Sequence, residues 1–284
     1  MKRKWKVKWK ALKMEIAEHK SSFVVYMVLR ILVILIMILQ ILNRNFEDVF
    51  YCVLTLILLL VPSFLQMELK IELPTPLEII ILLFIFAAEI MGEIGSYYTK
   101  FPYWDTMLHT MNGFLAAAIG FSLVDILNRH KSDKFHLSPL YLAIVAFCFS
   151  MTIGVMWEFF ECGMDLFFGM DTQKDTIVHS ISSVMLDPTR TQTIVHINDI
   201  HDVTVNGQSL GVNGYLDIGL LDTMKDLFVN FIGAVVFSII GFFYVKKRGE
   251  GKFAKKFIPT KKKAERDFIK IVEKNEKEKL TEKN

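Results

Sequence analysis

With 284 residues, 52% of them hydrophobic, and a mean hydropathy of +0.38, the chain is too apolar to be an ordinary soluble domain. Its net charge of +3 conceals basic ends around apolar runs of span length, a pattern that argues for a helical membrane protein and against nucleic acid as a partner. Cys52, Cys148 and Cys162 lie in or beside those runs without CxxC or metal-finger spacing, so they read as small apolar fillers.

In chain order, residues 1–22 carry Lys2, Arg3, Lys4, Lys6, Lys8, Lys10 and Lys13 with Trp5 and Trp9 interleaved. That is a juxtamembrane composition suited to anionic lipid. Six apolar segments follow, at about 23–42, 49–65, 77–97, 106–127, 140–168 and 222–244. The first is too long for the core of a signal peptide and lacks a small-residue cleavage site, so it is expected to remain as an anchor. Pro62 is expected to kink or end the second. The basic N-terminus, the loop holding Arg129, Lys131 and Lys134, and the tail from Lys246-Lys247-Arg248 fall on one side of a six-span arrangement. The positive-inside rule then places both termini in the cytoplasm. In the tail, 264–280 is charged with Phe268, Ile271 and Val272 on one stripe, and reads as a solvated or membrane-skimming helix.

The polar stretch 169–219 behaves differently. Residues 191–197 and 203–205 alternate with period two, and Asn206-Gly207 is a hairpin turn signal. A small β-hairpin cap is expected there. The chain thus divides into a basic N-terminus (1–22), two peripheral transmembrane helices (23–65), a four-helix membrane core (77–244) carrying the extracytoplasmic insertion, and a basic tail (245–284). The fold class is an all-α polytopic membrane protein with a small β-hairpin-like insertion.

Acidic side chains inside these spans are costly and call for a reason. The third span holds Glu89 and Glu93, one turn apart; the fourth opens with Asp105 and His109, continued by Asn112, Gly113, Ala116 and Gly120. The fifth carries Glu158, Glu161 and Asp165 on one helical face with Gly154. The sixth opens with Asp222 and Asp226, followed by Asn230 and Gly233. All nine groups sit toward the outer ends, while the inner halves look poor in polar residues. Carboxylates plus a histidine on facing helices are how bundles build divalent metal sites. The candidate ligands are Glu89, Glu93, Asp105, His109, Glu158, Glu161, Asp165, Asp222 and Asp226. Oxygen-rich surroundings suit Mg²⁺, Mn²⁺ or Ca²⁺, and a histidine also admits Zn²⁺. The competing view is that these acids pair with Lys100, Arg190, Lys225 and Tyr97 and only hold helices together. Asp105-Thr106, Asp175-Thr176 and Asp222-Thr223 echo one another, and an Asp-Thr pair at a helix start can cap backbone N–H groups.

Several of these residues also form a combined pattern. Gly92-Glu93, Pro102-x-Trp104-Asp105-x-x-x-His109-x-x-x-Gly113, Trp157-Glu158-x-x-Glu161-x-x-x-Asp165 and Asp222-Thr223-x-x-Asp226-x-x-x-Asn230-x-x-Gly233-Ala234 resemble the YjdF-like bacterial inner-membrane proteins over about 77–244. The resemblance implies a helical fold and the bacterial cytoplasmic membrane, and carries no activity. The first two spans and an insertion at about 182–216 look like departures from it.

For function, the residues suggest a metal-dependent hydrolase or transferase acting from the outer side on an amphiphilic substrate. His109 (or His179) would be a ligand or general base, with Glu158 and Glu161 as bridging catalytic carboxylates. Neither GxSxG nor HExxH is present. A cation- or proton-coupled transporter and a structural membrane protein with an envelope-contacting cap are the alternatives. Membrane lipids are the one partner the sequence implies.

Overall fold

The computed structural model describes residues 2–18, 20–129, 137–247 and 252–281. The basic loop beyond Arg129, including Lys131 and Lys134, lies outside them, as does Arg248. Within the described residues the chain is mainly helical, and five helices are long and apolar enough to cross a membrane. The contacts divide it into two units, Met1–Thr152 with Val229–Asn284, and Ile153–Phe228.

The larger unit begins with α1 (Lys2–Glu18), which buries Val7, Ala11 and Leu12 on one side. After one residue comes α2 (Lys20–Leu42), the first span. Arg44, with φ +58°, breaks the helix, and Asn45 caps α3 (Phe46–Leu58) by accepting the Asp48 N–H at 3.3 Å. Pro62 lies at the start of α4 (Val61–Glu68), where its missing N–H costs nothing, so it marks the bend expected of the second span. A short strand, β1 (Ile71–Glu72), leads into α5 (Thr75–Phe86).

The expected third span is not one regular helix. α5 passes into a π-helical segment at Ala87–Ile94, which carries Glu89 and Glu93. Its wider turn is a local departure from 3.6-residue periodicity of the kind found at functional sites. Ser96, in the left-handed region at φ +57°, ends it before the single turn α6 (Tyr97–Lys100). Tyr97, Phe101 and Trp104 then pack ring against ring and set the entry to α7 (Trp104–Arg129). Helix α8 (Pro139–Phe168) follows as the fifth expected span.

Spans one and two pack against the third. Tyr26 and Leu29 meet Leu59, Leu82 and Ile85, while Val33 and Cys52 meet Ile90. On the other side of α5, Leu77 packs with Leu115 of α7. Ala117, Ala118 and Phe121 of α7 pack with Leu142 and Ala146 of α8.

The smaller unit contains the C-terminal part of α8, the polar insertion and the start of the last long helix. The insertion is built of short antiparallel pairs. β2 (Ile177–Val178) pairs with β7 (Tyr215–Leu216), β3 (Ile181–Ser183) with β4 (Val195–Ile197), and β5 (Thr204–Val205) with β6 (Gln208–Ser209). Asn206 and Gly207 turn the last of these hairpins with φ +53° and +81°, the positive pair for which Asn-Gly is suited. Helix α9 (Leu220–Lys246) then runs from this unit into the larger one, where Ala234, Phe237 and Tyr244 join the α7 core.

The tail differs from its sequence reading. β8 (Thr260–Lys261) pairs with β1, and α10 (Phe268–Thr281) buries Phe268 and Val272 against Val7, Ala11, Leu12 and Met67. The apolar stripe expected to face solvent or membrane is therefore a protein–protein face. A buried ion pair between Lys262 and Glu15, and a second pair between Arg266 and Glu72, reinforce the attachment.

Candidate functional site

The seam between α7 and α9 is close-packed because of glycine. A Cβ placed on Gly113 would lie closer than 3.0 Å to the Asn230 carbonyl oxygen, and one on Gly233 would lie equally close to that of Thr110. Each helix thus presses its backbone into a notch in the other. The approach lets the Asn112 amide donate to Asn230 Oδ1 at 2.9 Å, while Asn230 Nδ2 donates to Met151 Sδ at 3.6 Å. Ser150 Oγ of α8 donates to the Gly113 carbonyl at 2.7 Å.

One turn N-terminal to Asn112 along α7, His109 is buried with its Nε2 3.3 Å from an Asp105 oxygen. This i, i+4 pair was legible in the sequence, and the structure keeps both groups largely out of solvent. Along α9, Asp226 lies one turn before Asn230 and is buried. Glu89 is buried within the π-helical segment of the larger unit, and Glu93 is partly buried beside it. The Trp104 Nε1–H, near the start of α7, is buried without a hydrogen-bond acceptor among the described residues.

In the smaller unit the predicted acids fall into two groups. Asp165 accepts from the Thr172 N–H and hydroxyl at 2.6 Å and from the Gln173 N–H at 2.9 Å. Asp222 accepts the Lys174 N–H at 2.9 Å and stands 3.3 Å from the Lys225 ammonium. Both therefore hold the 172–174 loop or a neighbouring lysine, which is the helix-gluing role. Glu158 is buried and accepts from the Gln173 amide at 3.4 Å, and the same amide donates to Thr223 Oγ1 at 2.6 Å. Glu161 is partly buried, and its backbone carbonyl accepts from Thr172 Oγ1 at 2.9 Å. Gln173 is thus the residue that ties Glu158 to α9, and sequence periodicity gave no sign of it, since it stands alone in an irregular loop.

Two details of the Asp-Thr echo change. Asp217, not Asp222, caps α9, accepting the Leu221 N–H at 2.7 Å. Asp175 begins no helix. It lies ahead of β2, where burial and then the charges of Asp171, Asp217 and Asp165 hold its carboxyl above the usual range. His179 is committed to the cap, with Nδ1 3.1 Å from the Ile200 carbonyl oxygen.

The halves of α5 and α7 expected to be inner are also less empty than they looked. Glu78 and Asp125 are buried, at the ends of α5 and α7 away from Glu93 and Asp105. Gln66 donates to Glu78 at 3.3 Å and accepts the Leu73 N–H at 3.0 Å. Glu78 was missed because it falls where a polar link gives way to an apolar run, so it read as a boundary residue. Between the two ends, Phe114, Phe121, Phe237 and Tyr244 stack edge to face along the α7–α9 seam, with Phe121 and Phe237 fully buried.

Compared with known proteins, residues 25–247 match the family model described as a predicted membrane protein (DUF2238). No curated protein and no solved structure matches. The family match takes in the first two spans and the 182–216 insertion.

Proposed function

The chain belongs to the DUF2238 family of predicted membrane proteins, and we propose that its α7–α9 seam holds a divalent cation that serves a hydrolase or transferase acting on an amphiphilic substrate. The observation that carries the reading is the Asp105–His109 pair of α7, largely out of solvent with Nε2 3.3 Å from a carboxylate oxygen, whose side chains are of the right types to hold a metal ion; Asp226 of α9 is the proposed third ligand. A neutral imidazole with two carboxylates suits Zn²⁺ or Mn²⁺ better than an all-oxygen set would. Such a cation would lower the pKa of a bound water or polarise a phosphoryl or carbonyl oxygen. Asp105 would orient the His109 ring, as carboxylates do for metal-binding histidines. Glu89, Glu93 and Glu161 would supply proton transfer or further ligands, and Glu158 proton transfer.

The membrane would be the bacterial cytoplasmic membrane with both termini inside, as the basic flanks require. Transport is the second reading, favoured by buried Glu78 and Asp125 beyond the aromatic stack. The stack itself weighs against it, because a path along this seam would have to displace two fully buried phenylalanines.

The test is thermal unfolding of purified protein, stripped with chelator and titrated with Zn²⁺, Mn²⁺, Mg²⁺ or Ca²⁺. A cation at one hundred times its Kd stabilises by about 2.7 kcal/mol, which His109→Gln and Asp226→Asn should each remove. Glu158→Gln should leave most of it. No stabilisation by any of the four ions, or the same stabilisation in all variants, would sink the metal reading.

A further inference from the structure

We propose that the outer face of α1, with the turn at 252–256, is a built docking surface for anionic phospholipid headgroups. Three observations carry it. Helix α1 is held from behind by protein, since Val7, Ala11 and Leu12 pack on Met67, Phe268 and Val272 and buried Glu15 pairs with Lys262. Its orientation is therefore set by the fold and does not wait for a membrane.

The face left outward is of one composition. Trp5 is 70% exposed and Trp9 41%, their rings parallel with centroids 6.0 Å apart, and Lys6, Lys10 and Lys13 are exposed around them. The Lys13 ammonium lies over the Trp9 ring, 5.7 Å from its centroid. Indole rings partition to the headgroup level, where an apolar body and a polar N–H are both accommodated, and lysines beside them select negative headgroups.

Position makes lipid the fitting occupant. Helix α1 ends at Glu18 and the first span starts within three residues, so the face sits at the membrane border. The 252–256 turn repeats the chemistry. Phe253 is exposed between exposed Lys252 and Lys255, while Ala254 is buried in the α7–α9 core. The tail helix α10, whose stripe read as solvated or membrane-skimming in sequence, supplies the protein backing instead.

The experiment reconstitutes the full chain into vesicles of mixed phosphatidylglycerol and phosphatidylcholine, brominating one lipid class at a time. Quenching of Trp5 and Trp9 is taken as the part of the emission absent from the Trp5→Phe/Trp9→Phe variant. At equal mole fraction, brominated phosphatidylglycerol should quench that emission about two-fold or more above brominated phosphatidylcholine, given the attraction of each lysine for an anionic surface. Lys6→Gln/Lys10→Gln/Lys13→Gln should bring the ratio to about one while quenching by lipid persists. Equal quenching by both lipids in the unmodified chain would overturn the selectivity, and no quenching by either would overturn lipid contact itself.

Discussion

Substituting alanine for Gly113 or Gly233 tests whether the α7–α9 seam is what positions the candidate site. In either variant the new Cβ would sit closer than 3.0 Å to a carbonyl oxygen of the facing helix, where ordinary contact begins at 3.4 Å. The obstacle is backbone on a long helix, so no side-chain rotation relieves it, and the helices must part. Overpacking of this kind costs about 1–3 kcal/mol, and a rigid backbone obstacle places it near the upper end. Parting would also break the Asn112–Asn230 hydrogen bond, a further loss of about 1 kcal/mol. Each variant should therefore lose about 3–4 kcal/mol in SDS-titration unfolding of the micelle-solubilised protein. The double variant should lose less than the sum, because the first Cβ has already separated the helices. Gly163→Ala is the control: its Cβ would meet only Phe167, at 4.0 Å, so the change should be neutral or stabilise by up to about 1 kcal/mol through helix propensity. If Gly113→Ala unfolds with the unmodified chain, or the double variant is strictly additive, the close-packed seam is not the organising contact.

Two further outcomes concern the remaining elements. Lys262→Met should cost about 3–5 kcal/mol by taking a buried cation from Glu15, and Glu15→Met/Lys262→Met should recover most of it. Limited trypsin cleavage within 252–281 reads this directly, and a single variant whose tail is as resistant as the unmodified chain would refute it. In the cap, the Asp187 carboxyl is held down to about 2 by the Thr189 hydroxyl and by the N–H groups of Thr189, Thr191 and Thr193. A lowered value means the contribution is complete above the free carboxyl's range of about 4 and is lost as pH falls through about 2. The 187–193 loop should accordingly resist pepsin at pH 4 and open near pH 2, whereas Asp187→Asn should be cut readily at both; equal resistance of the variant at pH 4 would contradict the assignment.

Much of this protein follows from local sequence. Span length and hydropathy identify the membrane helices because a bilayer imposes one thickness on every crossing segment. Pro62 and Asn206-Gly207 mark their bend and turn because each restricts the backbone by itself. The Asp105–His109 pair is legible because four residues is one helical turn. What periodicity could not decide is which partner each polar group finds. Asp165, Asp222 and Asp226 are of one residue type, yet the first two accept N–H groups of an irregular loop while Asp226 stands 3.7 Å from the Lys225 ammonium. The stripe on α10 is as amphipathic as a membrane-skimming helix, and only the docking of the tail through β8 and Lys262 turns it toward α1. The π-helical turn around Glu89 is likewise invisible to a reading that assumes 3.6 residues per turn. Sequence determines the elements and their chemistry through short-range geometry. The long-range hydrogen bonds and helix contacts that decide which partner each carboxylate finds exist only once the chain has folded.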